Sequence, residues 1–199
     1  MILNHLWGLY AHPRQEWQSI EQTHEGMGAS LTHIFVIALI PAICGFFASS
    51  YIGWSIGAGD PIKLTQTSAA KMAVAMYGAL IAGVFLLAYL AHWMAKTFGA
   101  KPSFTQAVEL SAYTATPLFM VGFATLYPEL WFVMVVGLAG IAYSVYLLYS
   151  GVPIIMNIPE ERGFIYASSL VTCGLVLLVA ILASSVILWN VGFGPSYIS

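Results

Sequence analysis

The 199-residue chain contains very little charge. Six Lys and Arg residues and eight Asp and Glu residues make up 7% of it, whereas about 25% is usual for a soluble domain. The net charge of −2 excludes the broad basic field that a nucleic-acid-binding surface needs. The two cysteines, Cys44 and Cys173, are far apart and form no CxxC pair, so we interpret them as small apolar core residues rather than as a disulfide.

Most of the chain consists of long apolar stretches. Five stretches reach about 20 residues, the length that a helix needs to cross a hydrocarbon core about 30 Å thick. Because lipid offers no water to backbone N–H and C=O groups, the spans must be helices. The sequence therefore predicts an all-α, polytopic membrane protein with a five-transmembrane-helix bundle in residues 31–199. The spans are Leu31–Ser50, Met72–Ala95, Ala107–Tyr127, Leu130–Ser150 and Phe164–Asn190.

Residues 1–30 are predicted to form a separate segment of amphipathic interfacial helices. Pro13 near a first turn and Gly26 just past an end delimit the second of these helices. Because Trp and Tyr favour the level of the lipid headgroups, we expect the segment to lie along the membrane surface. The apolar faces consist of Ile2, Leu3, Leu6, Trp7 and Tyr10, and of Trp17, Ile20 and His24.

The distribution of Lys and Arg predicts the orientation in the membrane. With five spans, the N-terminus shares a side with the second and fourth connections, and that side carries four of the six basic residues. Because positive charge is retained in the cytoplasm, we predict a cytoplasmic N-terminus and a C-terminus on the periplasmic or external side. The basic residues are Arg14, Lys96, Lys101 and Arg162 on the N-terminal side, and Lys63 and Lys71 on the other.

Two connections carry local structural signals. Ser103 with Gln106 three residues later forms a capping box that predicts the start of the third span. In the first connection, alternating apolar residues flank a Gly/Asp/Pro turn at residues 57–61. This pattern predicts a β-hairpin over residues 52–65, with an irregular capping loop as the alternative.

Glu109 is the one Asp, Glu, Lys or Arg residue inside a predicted span. It lies six residues past Ser103, or about 9 Å along the helix at about 1.5 Å per residue. An ionisable group at this depth is a functional hypothesis by default. The alternative is a carboxylate that reaches back to the interface and pairs with a loop Lys. The partners considered are His92, Lys96, Lys101 and Arg162.

Polar residues on the third and fourth spans define a polar-path hypothesis. Tyr113 and Thr116 follow Glu109 at i+4 and i+7, on the same helix face. Tyr143 and Tyr146 are three residues apart near the end of the fourth span. These two tyrosines are also typical of an aromatic belt at the headgroups.

The connection after the fourth span is the second hypothetical site. It contains Asn157, Glu160, Glu161 and Arg162, and it is the most charged connection on the predicted cytoplasmic side. We interpret it as a docking loop for a partner or a lipid headgroup. A solvated loop with an internal Glu–Arg pair is the alternative.

Catalytic, metal and cofactor sites are not predicted. The five histidines show none of the spacings that hold zinc, and the acidic residues are scattered. We also do not predict a nucleophilic triad, which would need a serine, a histidine and an acidic residue in one arrangement. We therefore expect no enzyme activity, no metal and no cofactor.

Several segments resemble the Yip (Ypt-interacting protein) domain family, in particular its YohC-like bacterial inner-membrane branch. They are LWGLYAHPRQEWQSI, YTATPLF, LYPELW and YLLYSGVPIIMNIPEERG, and the resemblance covers nearly the whole chain. It implies a five-helix membrane domain with a cytoplasmic N-terminus. Eukaryotic relatives bind Rab-type GTPases in vesicle trafficking, but this chain lacks their long N-terminal region, so GTPase binding is not expected. Tyr113, Pro117 and Gly151 match family-like positions, which we interpret as helix-packing positions.

Three functional hypotheses follow. The first is a non-enzymatic membrane-organising or scaffold protein whose partners are membrane lipids, another membrane protein or a second copy of itself. The second is a small channel or transporter, which a water-filled cavity from Glu109 to the exported side would favour. Pro41 and Pro117 interrupt spans, yet transporter sites built from broken helices come in repeated halves, and no internal repeat is present. The third, an intramembrane enzyme, is the weakest.

Overall fold

The structure is a computed structural model that describes residues 2–23, 26–55, 61–189 and 194–198, without the side chains of residues 2–6 and 188. Within these residues it contains seven α-helices, of which the last five are long and apolar enough to cross a membrane. The predicted all-α, five-span architecture is therefore confirmed. The helices are α1 (Ile2–Ala11), α2 (Pro13–Thr23), α3 (Gly26–Phe47), α4 (Gln66–Met94), α5 (Phe104–Met120), α6 (Leu130–Ile155) and α7 (Glu160–Leu188).

Most of the spanning helices extend beyond the predicted apolar stretches. The reason is that polar residues complete the first turns, where side chains bind free backbone N–H groups. Thr65 accepts a hydrogen bond from the N–H of Ser68 at the start of α4. The predicted capping box of α5 is confirmed, with Ser103 and Gln106 each accepting a bond from the backbone N–H of the other. Short turns also prolong three helices: a π-helical turn over Ala48–Ile52 and 3-10 turns over Ala95–Phe98 and Val121–Leu126.

Helix α5 occupies the centre of the bundle. It packs against α3, α4 and α6, whereas α7 lies outside against α4 and α6. Over the 18 most apolar consecutive residues of α5, 72% are buried, compared with 6% over the equivalent stretch of α7. The outer helices therefore present their apolar side chains to lipid, and α5 is enclosed by protein.

Near the end of α5 two backbones meet directly. A Cβ atom added to Gly122 would lie 2.5 Å from Cα of Pro41 in α3. Because Gly122 has no side chain, its backbone can approach Pro41 this closely. This contact closes the core between α3 and the 3-10 turn that continues α5.

The two ends of the bundle are closed in different ways. The end with α1, α2 and the connections after α4 and α6 is called the N-terminal face. At the opposite end, the C-terminal face, the predicted hairpin is reduced to one antiparallel bridge between Trp54 and Ile62. Its turn, residues 56–60, lies outside the described residues. A second bridge joins Leu64 to Tyr197, so the chain end covers the start of α4. The alternative of an irregular capping loop describes this connection better than a regular hairpin.

Candidate functional site

The buried polar side chains of the bundle are concentrated on its central helix. Glu109, Tyr113 and Thr116 follow one another along one face of α5, and all three are buried. His33 of α3 is buried against the same face. These four residues are called the polar column. They run from near the N-terminal face into the interior of the bundle.

Glu109 lies at the outer end of the polar column. Its side chain is 2% exposed, and it lines a cavity of about 230 Å³ that opens at the N-terminal face. The carboxylate is therefore enclosed by protein rather than extended towards the headgroups. None of the four predicted partners lines this cavity, whose other residues are Gly26, Ser103, Thr105 and Gln106.

His33 is the residue of the column that sequence reasoning missed. It is 1% exposed, and its Nε2 lies 2.8 Å from Oγ1 of Thr116. Oγ1 of Thr116 also lies 3.1 Å from the carbonyl oxygen of Ala112, so the hydroxyl bridges the imidazole and the backbone of α5. The imidazole also lies against the Tyr113 ring, with centroids 4.6 Å apart. The sequence feature that could have identified His33 is its position as an ionisable side chain inside the predicted span Leu31–Ser50.

Trp17 of α2 completes the wall of the column. Its side chain is 0% exposed and meets the Tyr113 ring edge to face, at 6.3 Å between centroids. The indole fits into a notch at Gly151 of α6, where an added Cβ would lie 2.6 Å from Trp17 Cε2. The sequence predicts Trp17 on a helix that lies along the membrane surface, and the structure buries its indole against α5 and α6 rather than against lipid. Trp7 and Tyr10 of α1 are the exposed aromatic residues of the described part of the segment. The predicted position of His24 lies outside the described residues.

The tyrosines of α6 do not join the polar column. Tyr143 donates its hydroxyl to the carbonyl of Leu9 at 2.8 Å, and its ring stacks on Tyr10 at 5.2 Å. Leu9 is among the last residues of α1, whose carbonyls have no partner within the helix. Tyr143 therefore holds the end of α1, while Tyr146 is 48% exposed and points outward. Burial, and to a smaller extent Tyr143, raises the pKa of the Tyr10 hydroxyl.

Asn157 of the predicted docking loop has a structural role. Its φ of 51° places it in the left-handed region, which Asn tolerates better than most residues. Its N–H donates to the carbonyl of Ile154, and the N–H of Ile158 donates to that of Pro153. These two bonds form a Schellman motif that ends α6.

The charged residues of the same loop contact other elements. Glu160 pairs with Arg14 of α2 at 3.6 Å, in a solvent-exposed geometry worth about 0–1 kcal/mol. Arg162 lies against Gly99, where an added Cβ would be 2.8 Å from its Nη1. Glu161 is exposed. The predicted Glu–Arg pair is thus made between the loop and α2, not within the loop.

The first connection contains a GxSxG pattern at residues 53–57, which serine hydrolases also carry. In those enzymes the serine sits on a sharp turn from a strand into a helix. Ser55 instead lies between the π-helical turn Ala48–Ile52 and the distant start of α4. The described residues on either side form only isolated bridges. The pattern alone does not assign a hydrolase activity.

Comparisons with known proteins agree with the sequence resemblance. The Yip1 domain model matches residues 7–181. The inner membrane protein YohC of Escherichia coli strain K12 is 38% identical over 192 residues, which cover 96% of this chain and 98% of that protein. The protein of the same name from Escherichia coli O6:H1 shows the same identity and coverage. No solved structure matches the chain significantly. The chain is therefore an integral membrane protein that belongs to the Yip1 domain family.

Proposed function

We propose that the protein is a non-enzymatic membrane-organising scaffold whose N-terminal face binds another membrane protein. The observation that supports this function is the insertion of Trp17 between α5 and α6. It makes the N-terminal helices part of the bundle rather than a loose tail. A partner would therefore meet a preformed surface, and a preformed surface loses little conformational entropy on binding.

Three further contacts hold this surface together. Tyr143 binds the last turn of α1, Arg14 pairs with Glu160, and Arg162 lies against Gly99. They join α1, α2, α6, α7 and the connection after α4. Trp7, 77% exposed, and Glu161 remain available to a partner on this face. Aromatic residues at such exposed positions are typical anchors in interfaces.

We further propose that this face lies in the cytoplasm, on the inner side of a bacterial inner membrane. The support is the placement of four of the six basic residues there, together with the name of the Escherichia coli relative. Cysteine labelling in intact cells tests the orientation. A membrane-impermeant maleimide should label Glu129→Cys on the C-terminal face and leave Glu161→Cys unlabelled until the cells are opened. The reverse pattern would contradict the proposed orientation.

Site-specific crosslinking tests the scaffold function. A photoreactive amino acid at position 161, in native membranes, should yield a discrete adduct with a membrane protein. The same group at position 129 provides the matched control on the opposite face. The position-161 adduct should weaken when Trp17→Ala is added, provided that the variant still inserts and folds. Identical adducts from both positions, or adducts with lipid alone, would remove this function.

Passage of a small cation is the second candidate function. It is supported by the burial of Glu109 and His33 in the enclosed helix core, because ionisable groups at membrane depth are costly and usually functional. The polar column ends beneath the close contact of Pro41 with Gly122. Passage would therefore require α3 and the end of α5 to separate there. The cavity that Glu109 lines is bounded by Gly26, Ser103, Thr105 and Gln106, all near the N-terminal face.

Flux across liposomes tests the second function. Protein-containing vesicles should move H⁺ or an alkali cation faster than empty vesicles. Glu109→Gln should abolish the difference, and Glu129→Gln, which changes an exposed acid on the C-terminal face, should not. Flux equal to that of empty vesicles, or flux that survives Glu109→Gln, would eliminate this function.

A further inference from the structure

A second cavity of about 320 Å³ lies at the N-terminal face. Its walls come from four elements: α2, the connection between α4 and α5, the start of α5 and the end of α6. All of these segments lie at or beyond the ends of spanning helices, which is the level of the lipid headgroups. The lining residues are Glu21, Gly99, Ala100, Lys101, Pro102, Gln106, Ile155, Met156 and Asn157. It is called the headgroup-level cavity.

The headgroup-level cavity contains both signs of charge. Glu21 of α2 is partly buried in its wall, and Lys101 supplies an ammonium group. Neither side chain forms an ion pair with another described residue. Both charges are therefore available to a ligand. Arg162, which lies against Gly99, adds a second cation beside the wall.

Two helix ends add partial negative charge to the cavity wall. Gly99 follows the 3-10 turn Ala95–Phe98, and Asn157 lies two residues past the end of α6; Schellman-type bonds close both helix ends. Both residues line the cavity. The carbonyl end of a helix carries partial negative charge and attracts cations. Glu21 and the carbonyl ends near Gly99 and Asn157 therefore favour an ammonium group, and Lys101 favours an anion.

We infer that the headgroup-level cavity binds the phosphoethanolamine headgroup of a phospholipid. Its phosphate would contact Lys101, and its primary ammonium would contact Glu21. The cavity volume of about 320 Å³ leaves room for a polar headgroup. A primary ammonium has three N–H donors for a carboxylate and helix carbonyls, whereas a choline group has none. The inference does not depend on the scaffold function, because it requires no protein partner.

Native mass spectrometry of the full chain tests the inference. The protein is reconstituted in nanodiscs with equal amounts of phosphatidylethanolamine, phosphatidylcholine and phosphatidylglycerol, and the lipids retained after release are counted. We expect at least about tenfold more phosphatidylethanolamine than phosphatidylcholine, which corresponds to about 1.4 kcal/mol. Glu21→Gln should reduce this preference to near unity. Lys101→Gln should lower the retention of all three lipids.

Matched controls change charge on the opposite face. Glu129→Gln and Lys63→Gln should leave lipid retention unchanged, and the thermal unfolding of each variant verifies that it is folded. Equal retention of the three lipids, or retention unaltered by both cavity substitutions, would overturn the inference. Soluble phosphoethanolamine should compete poorly because it lacks the acyl chains. If it displaced the lipid at micromolar concentration, the site would be one for the soluble compound, and the lipid assignment would be wrong.

Discussion

Trp17 and Gly151 interlock, 134 positions apart in the chain, with an added Gly151 Cβ only 2.6 Å from Trp17 Cε2. The indole occupies the space that the missing side chain of Gly151 leaves in α6, and this contact fixes α2 against the bundle. The contact therefore connects the N-terminal helices to the polar column, since Trp17 also meets Tyr113. Substitution of Trp17 or of Gly151 should therefore disturb both the N-terminal helices and the polar column.

Gly151→Ala should destabilise the protein by about 1–3 kcal/mol, the usual cost of overpacking a filled core. The added methyl group would displace Trp17 and loosen α2. Gly137→Ala is the matched control in the same helix, because nothing lies within 4 Å of its added Cβ. Unfolding in mixed micelles, followed by tryptophan fluorescence, measures both. Equal stability of the two variants would show that the indole does not occupy the notch.

Gly122→Ala should be more damaging than Gly151→Ala. Here the added Cβ meets backbone atoms of Pro41, at 2.5 Å from Cα and 2.8 Å from N, and a backbone cannot rotate away as a side chain can. We expect a loss of about 3 kcal/mol or more, at the upper end of overpacking effects. The control is Gly78→Ala in α4, where the added Cβ meets nothing within 4 Å. Unfolding in the same micelles measures both, and a near-neutral Gly122→Ala would refute the direct contact.

Thr116→Val should cost about 1–3 kcal/mol, because it deprives a buried His33 nitrogen of the hydroxyl that lies 2.8 Å away. The substitution preserves side-chain shape, so packing loss contributes little. Thr32→Val on the same helix as His33 removes an exposed hydroxyl bonded only to the carbonyl of Gly28, and it should be nearly neutral. A double-mutant cycle of Thr116→Val with His33→Leu measures the coupling. Strictly additive effects would mean that the two side chains do not interact.

Features governed by neighbouring residues were predictable from the sequence. The capping box of Ser103 and Gln106 depends on two residues within one turn, and it is present as predicted. The five spans depend on length and apolarity alone, and they too are confirmed. The predicted helix ends were less accurate. Hydropathy does not identify the polar first turns, which caps such as Thr65 stabilise.

The parts of the site that depend on distant contacts were not predictable in this way. The pattern of α2 showed that Trp17 needed an apolar cover, but not whether lipid or protein supplies it. The notch at Gly151, far along the chain, shows that protein supplies this cover. The tyrosine spacing in α6 likewise placed Tyr143 on one helix face but did not show what packs against that face. The sequence therefore assigns Tyr143 to the polar path, whereas in the structure it binds α1. His33 was visible as an ionisable residue in a span, yet a search for metal-ligand spacing cannot detect a histidine that binds a threonine.

Tyr143→Phe should loosen α1 without unfolding the bundle. The lost bond to the Leu9 carbonyl is worth about 0.5–1.5 kcal/mol, as for a typical hydrogen bond, so amide exchange in residues 2–11 should accelerate about 2- to 12-fold. Tyr146→Phe, three residues away and half exposed, removes the same atom and should leave that exchange unchanged. Hydrogen–deuterium exchange followed by mass spectrometry compares the two variants directly. Because Leu9 lies at the carbonyl end of a short helix, no intrahelical bond can replace the tyrosine. Equal exchange in both variants would therefore mean that packing of the buried Leu9 side chain, rather than Tyr143, holds α1 against the bundle.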